Sequence, residues 1–130
     1  MIASTASPAA AFGYLNFTVI GFRIVVLLEF SVSPLGAGES VSATVAKCLD
    51  IVDQSGLEYQ LHAMGTLVEG ELNAVLDILR QCIEVVAAEH PRVTCTAKLD
   101  LRRGHSGRLR GKVASVERQL GRKLKKSPGN

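Results

Sequence analysis

The chain has 130 residues, of which 47% are hydrophobic and 21% charged. That balance is ordinary for one globular domain large enough to bury a core unaided, and it excludes a disordered chain, a collagen and a multi-pass membrane protein. The formal net charge of +3 is unevenly spread: residues 24–100 hold four basic residues against eleven acidic ones, whereas residues 101–130 hold ten basic residues against Glu117 alone. The body is therefore acidic and the C-terminal segment basic. No nucleic-acid motif accompanies that segment, so it reads as a solvated helix and tail that answer the acidic body of a neighbouring subunit. Neither nucleic acid nor a membrane is expected as a partner.

Trp is absent and aromatics make up only 5%, so the core must be aliphatic and a base-stacking module is disfavoured. Cys48, Cys82 and Cys95 each lie in an apolar run, and no pair has C-x-x-C spacing. They read as three reduced core thiols of a cytoplasmic protein, with no metal site.

Residues 1–22 carry no charge. They lack the basic start of a secretory signal, and Ser, Thr, Asn, Gly and Pro interrupt them too often for a membrane span. Residues 1–23 are expected to form a poorly ordered, dispensable extension. In residues 24–33, Ile24, Val26, Leu28, Phe30 and Val32 alternate with a face that turns polar at Glu29, Ser31 and Ser33, which predicts a strand. Over 41–55, Val41, Val45, Cys48, Leu49 and Val52 form one helical stripe, with Ser40 or Ser42 as cap and Gly56 as left-handed stop. Residues 57–62 and 65–69 suit an antiparallel pair of strands joined around Ala63-Met64. A second helix follows over 71–89, with the stripe Leu72, Val75, Leu76, Leu79, Ile83 and Val86, and His90-Pro91 ends it. Residues 92–102 alternate Val93, Cys95, Ala97, Leu99 and Leu101 with Thr94, Thr96, Lys98, Asp100 and Arg102, a second long strand. A basic helix near 106–124 carries a weak stripe of Leu109, Val113, Val116 and Leu120.

This order predicts an α+β fold, a ferredoxin-like βαββαβ sandwich whose antiparallel sheet carries two helices on one face, plus a C-terminal helix. The domain spans 24–120 and a basic tail 121–130. The two long strands are expected at the centre, and their polar sides gather Glu29, Ser31, Ser33, Thr94, Thr96, Lys98, Asp100 and Arg102 on the other face. Either Thr66 or Glu69 joins them, depending on register. With no helix of its own, that face is expected to be covered by a second subunit, and Lys98, Asp100 and Arg102 read as an ion-pair ladder across the contact.

The segments E-F-S-V-S-P-L-G (29–36), S-G-L-E-Y-Q-L-H-A-M-G-T-L-V-E-G (55–70) and R-V-T-C-T-A-K-L-D-L-R (92–102) resemble the thiamine-binding protein family. The likeness runs from about Ile24 to Leu120, and the spacing Tyr59-x-Leu61-x-x-Met64-Gly65-Thr66-x-x-Glu69-Gly70 is its most specific part. The resemblance implies a non-enzymatic, cytoplasmic binding protein that forms homodimers or homotetramers. Thiamine or its hydroxymethylpyrimidine part would be held near a subunit contact, as a ligand and not as a cofactor. An aminopyrimidine offers one amino donor and two ring nitrogens, and the thiazolium adds a positive charge. For such a ligand Glu29 or Glu69 would accept from the amino group, Ser31, Ser33 and Thr66 would pair with ring nitrogens, and Tyr59 and Met64 would pack on the rings. Glu69-Gly70 reads equally well as a strand end that starts a helix. His62 and His105 lack neighbours at zinc-site spacing and are not assigned as ligands.

No G-x-S-x-G, P-loop or strand-linked G-x-G-x-x-G is present, so nothing points to an enzyme. The competing reading is a regulatory or structural ferredoxin-like oligomeric module that senses another small ligand.

Overall fold

The computed structural model describes residues 24–36, 38 and 41–125. The expected extension 1–23, the Ser40 cap and the last part of the basic tail lie outside them. Seven elements follow in chain order: β1 (Val25–Pro34), α1 (Ser42–Gln54), β2 (Glu58–His62), β3 (Gly65–Glu71), α2 (Leu72–Ala87), β4 (Val93–Leu101) and α3 (Arg108–Leu120). The four strands form one antiparallel sheet in the order β2-β3-β1-β4. This is the ferredoxin-like α+β arrangement that the element order predicts.

Val26, Leu28, Phe30 and Val32 of β1 point to one face with Val68 of β3, and all are buried. Cys48 and Val52 of α1 and Val75, Ile78, Cys82 and Val86 of α2 close the core over them. The centre of the α2 stripe thus falls on Val75, Ile78, Cys82 and Val86, while Leu76 is exposed. Cys48 and Cys82 meet across the two helices, each thiol donating to the other's carbonyl at 3.8 and 3.6 Å. Cys95 departs from the expected core position and is exposed.

The reason lies in strand order. Among the described residues the central strands are β1 and β3, and β4 is an edge that pairs only with β1. Its apolar side faces the helix layer but lies beyond the cover of α2, so Leu99 and Leu101 stay 45% and 44% exposed. Length and alternation are shared by an edge and a central strand, which is why they misled here.

The second departure concerns the open face. Register sets Glu58, Glu69, Leu27 and Asp100 in one row across all four strands, on the side away from α1 and α2. The expectation was a face with no helix of its own, yet α3 lies across this row. Arg110 pairs with Glu58 at 3.1 Å, the backbone N–H groups of Arg108 and Leu109 donate to Glu69, and Arg108 and Lys112 both donate to Asp100. Leu109 and Val113 are half-buried there, while Val116 and Leu120 remain exposed. Gly121, in the left-handed region at φ 72°, ends α3.

Asp100 carries a pH signature of this contact. Hydrogen bonds from Lys112 and then Arg108 hold its carboxyl down at about 2, against roughly 3.9 in an unfolded chain. Its stabilising contribution is complete above about pH 4 and is lost as pH falls through the folded value. Asp100→Asn is therefore expected to flatten the acid limb of thermal stability between neutral pH and about pH 3. Parallel melting curves of the two proteins check this, and an unchanged acid limb refutes the pairing.

Among the described residues no helix is long and apolar enough to cross a membrane. No group of three or more His, Cys, Asp or Glu side chains there is placed to hold a metal ion.

Candidate functional site

At the C-terminal end of β1 the sheet, the start of α1 and the β2–β3 turn enclose a pocket of about 230 Å³. Its polar lining is Ser31, Ser33, Thr66 and His62; its apolar walls include Val41, Val45, Leu61 and Met64. Local sequence explains the shape. Pro34 ends β1, and the chain must travel to the first turn of α1 before it can return over the sheet. The β2–β3 connection is kept tight by Gly65, where a Cβ would lie 2.8 Å from the Phe30 carbonyl oxygen. Only glycine lets β3 start so close to β1.

Thr66 pairs with Phe30 in the ladder and shares its helix-facing side, so it is 4% exposed. Register thus decides between the two alternatives for the open face: Glu69 joins it and Thr66 does not. The hydroxyls of Ser31, Ser33 and Thr66 make no hydrogen bond to the described residues. Each can donate and accept, but alternation along β1 turns the Ser31 and Ser33 hydroxyls toward the open face, so Thr66 is the hydroxyl on the α1 side of the pocket, beside the aliphatic wall.

Of the seven sequence candidates, the fold brings four to this pocket: Ser31, Ser33, Met64 and Thr66. Met64 is 84% exposed at the rim, and its backbone N–H donates to His62 Nδ1 at 3.2 Å. The other three lie elsewhere. Glu29 is one step further along β1 on the open face, 3.4 Å from His62 Nε2, and lines a separate cleft with Leu27, Leu67, Lys98, Asp100 and Lys112. Tyr59 is on the helix side of edge strand β2. Its hydroxyl donates to Asp53 of α1 at 2.8 Å, and that bond raises the phenol above its usual range. Glu69 sits at the far end of the sheet with its two oxygens on the first N–H groups of α3, at 2.8 and 3.0 Å. The strand-end reading of Glu69-Gly70 is nearer to this geometry than a place in the pocket.

His62 is the lining residue that sequence reasoning passed over. Its Nδ1 accepts from the Met64 N–H, and its Nε2 lies 3.4 Å from Glu29. Metal-ligand spacing was the wrong signal for it. The usable one was its period-two position on β2, next to the turn that closes the pocket.

Residues 28–117 match the model of the family described as thiamine-binding protein. The chain belongs to the thiamine-binding protein family. A UPF0045 protein of Mycobacterium bovis is 44% identical over 96 residues, covering 73% of this chain and 94% of that one. A UPF0045 protein of Synechocystis is 35% identical over 96 residues, covering 73% and 79%. Among solved structures, a hypothetical protein of Methanocaldococcus jannaschii superposes with a TM-score of 0.67 at 30% identity, over 71% of this chain and 95% of its own. Family membership supports a small-molecule binding role, and the matched span runs from β1 to α3, so it includes the whole pocket.

Proposed function

We propose that this member of the thiamine-binding protein family is a non-enzymatic, cytoplasmic protein that binds thiamine, or its hydroxymethylpyrimidine part, in the pocket at the end of β1. The observation that carries the reading is a pocket at the end of the sheet, inside the family-matched span, whose lining joins Ser31, Ser33 and Thr66, hydroxyls with no partner among the described residues, to the aliphatic side chains of Val41, Val45 and Leu61. An aminopyrimidine presents a donor and two acceptors in a flat ring. Hydroxyls that both donate and accept match it, and Val41, Val45 and Leu61 supply the apolar surface. Glu29 stands behind His62 as the nearby negative charge for a thiazolium. This differs from the arrangement implied by the resemblance, because Glu69 is committed to α3.

The ligand-binding unit in this proposal is a homo-oligomer. Edge strand β4 with its exposed Leu99 and Leu101 supplies the kind of unpaired, apolar edge that a second copy covers.

Calorimetric titration tests the reading directly. The protein is expected to bind thiamine or hydroxymethylpyrimidine, and Thr66→Val and Ser33→Ala are each expected to weaken binding roughly three- to tenfold, about the value of one neutral hydrogen bond. Circular dichroism verifies that the variants fold. No heat with millimolar thiamine or pyrimidine, alongside a response to amino acids or nucleotides, would sink the thiamine reading in favour of another ligand. Light scattering on the same samples should show more than one copy per particle, and a stable monomer at micromolar concentration removes the oligomer from the proposal.

A further inference from the structure

At the opposite end of β1 the β4–α3 loop folds around a second cavity, of about 160 Å³, lined by Ile24, Val25 and Leu101 beneath Arg102, Arg103, His105 and Ser106. Its chemistry is unlike that of the first pocket. The floor is aliphatic and every charged side chain in the rim is basic. The carboxylates nearest in the sheet row are already engaged: Glu58 by Arg110, Glu69 by the start of α3, and Asp100 by Arg108 and Lys112. Arg102 and the His105 ring have no acidic partner among the described residues. The backbone adds to this. Gly104 and Gly107 adopt left-handed φ values of 76° and 67°, and the N–H groups of Gly104, Ser106 and Gly107 donate to no described residue. Left-handed turns with unclaimed N–H groups form the concave nests that hold anions.

We propose that this cavity is an anion site for a small phosphate dianion, inorganic phosphate or the phosphate of a soluble monoester. Arg102 and His105 supply the charge, while Ser106 and the loop N–H groups supply directed donors. Arg is suited to the role because its planar guanidinium donates two parallel hydrogen bonds to phosphate oxygens. The site is independent of the thiamine reading and stands or falls without it.

The test is a titration of the full chain with inorganic phosphate, followed by amide NMR. The amides of Gly104, His105, Ser106 and Gly107 are expected to shift together to saturation, while those of Ser31, Ser33 and Thr66 stay still. Arg102→Gln with His105→Gln should raise the apparent Kd at least tenfold. Lys123→Gln with Lys125→Gln, which removes at least as much charge away from the cavity, should change it less than twofold. Unmoved loop amides overturn the proposal, as does an equal loss in both double variants, which would mark unspecific charge attraction. Sedimentation with phosphatidic acid vesicles completes the test: retention on vesicles without a response to free phosphate also overturns it, because the headgroup would then be the ligand.

Discussion

Glu69→Ala is expected to lower the melting temperature by roughly 10–20 °C, the equivalent of about 2–3 kcal/mol in a domain of this size. Glu69 is 8% exposed, and its carboxylate accepts from the N–H groups of Arg108 and Leu109. Helix α3 needs this, because its own N-cap position is Gly107 and no side chain from the loop caps it. The orphan donors of its first turn are met by an acid from a strand 39 residues earlier in the chain, and the negative charge sits at the favourable end of the helix dipole. Glu69→Gln keeps one acceptor but loses the charge, so its loss should be intermediate. Thermal melts of the three proteins decide the matter. If Glu69→Ala melts within two degrees of the parent and instead loses thiamine binding, Glu69 belongs to a ligand site and the helix anchor is wrong.

Leu28→Ala should be costlier still, about 3–4 kcal/mol. Leu28 has no exposed surface and lies in the middle of β1 between Val68 and Leu99 in the ladder. Truncation removes the transfer free energy of its side chain and leaves a cavity that the surrounding strands cannot close. Leu28→Met nearly conserves volume and should cost less than about 1.5 kcal/mol. Urea unfolding measures both: the midpoint should fall sharply for Ala and slightly for Met, with an unchanged slope. Equal midpoints for the two variants would place Leu28 outside the tightly packed core. Against a typical total of about 5–15 kcal/mol, the Ala variant removes a large share of the stability.

Neither variant touches the pocket at the end of β1, the proposed binding site. Four of the seven candidate residues meet there because the S-V-S run of β1 and the Met64-Gly65-Thr66 turn close the same end of the sheet. That much was legible from local signals: alternation placed Ser31 and Ser33 on one face, and the turn between β2 and β3 fixed Met64 and Thr66 beside each other. The assignments of Glu29, Tyr59 and Glu69 did not converge with them. Each depended on which strand neighbours which, and a residue type carries no record of that.

The sequence by itself determined the elements, their order and their buried faces, since periods of two and 3.6 are local properties that burial enforces residue by residue. Val26, Leu28, Phe30 and Val32 could face nothing but a core, and Val75 and Val86 could only lie inward on their helix. Tertiary structure alone decided that β3 and not β4 joins β1 at the centre, leaving Cys95, Leu99 and Leu101 at an exposed edge. It also decided the register that turns Thr66 to the helices and Glu69 to the other face, where α3 docks on Glu58, Glu69 and Asp100. The physical reason is common to these cases. Alternation says which residues share a side, but strand order, register and helix docking are set by contacts between segments far apart in the chain, where shifting a strand by one residue reverses every side chain it carries.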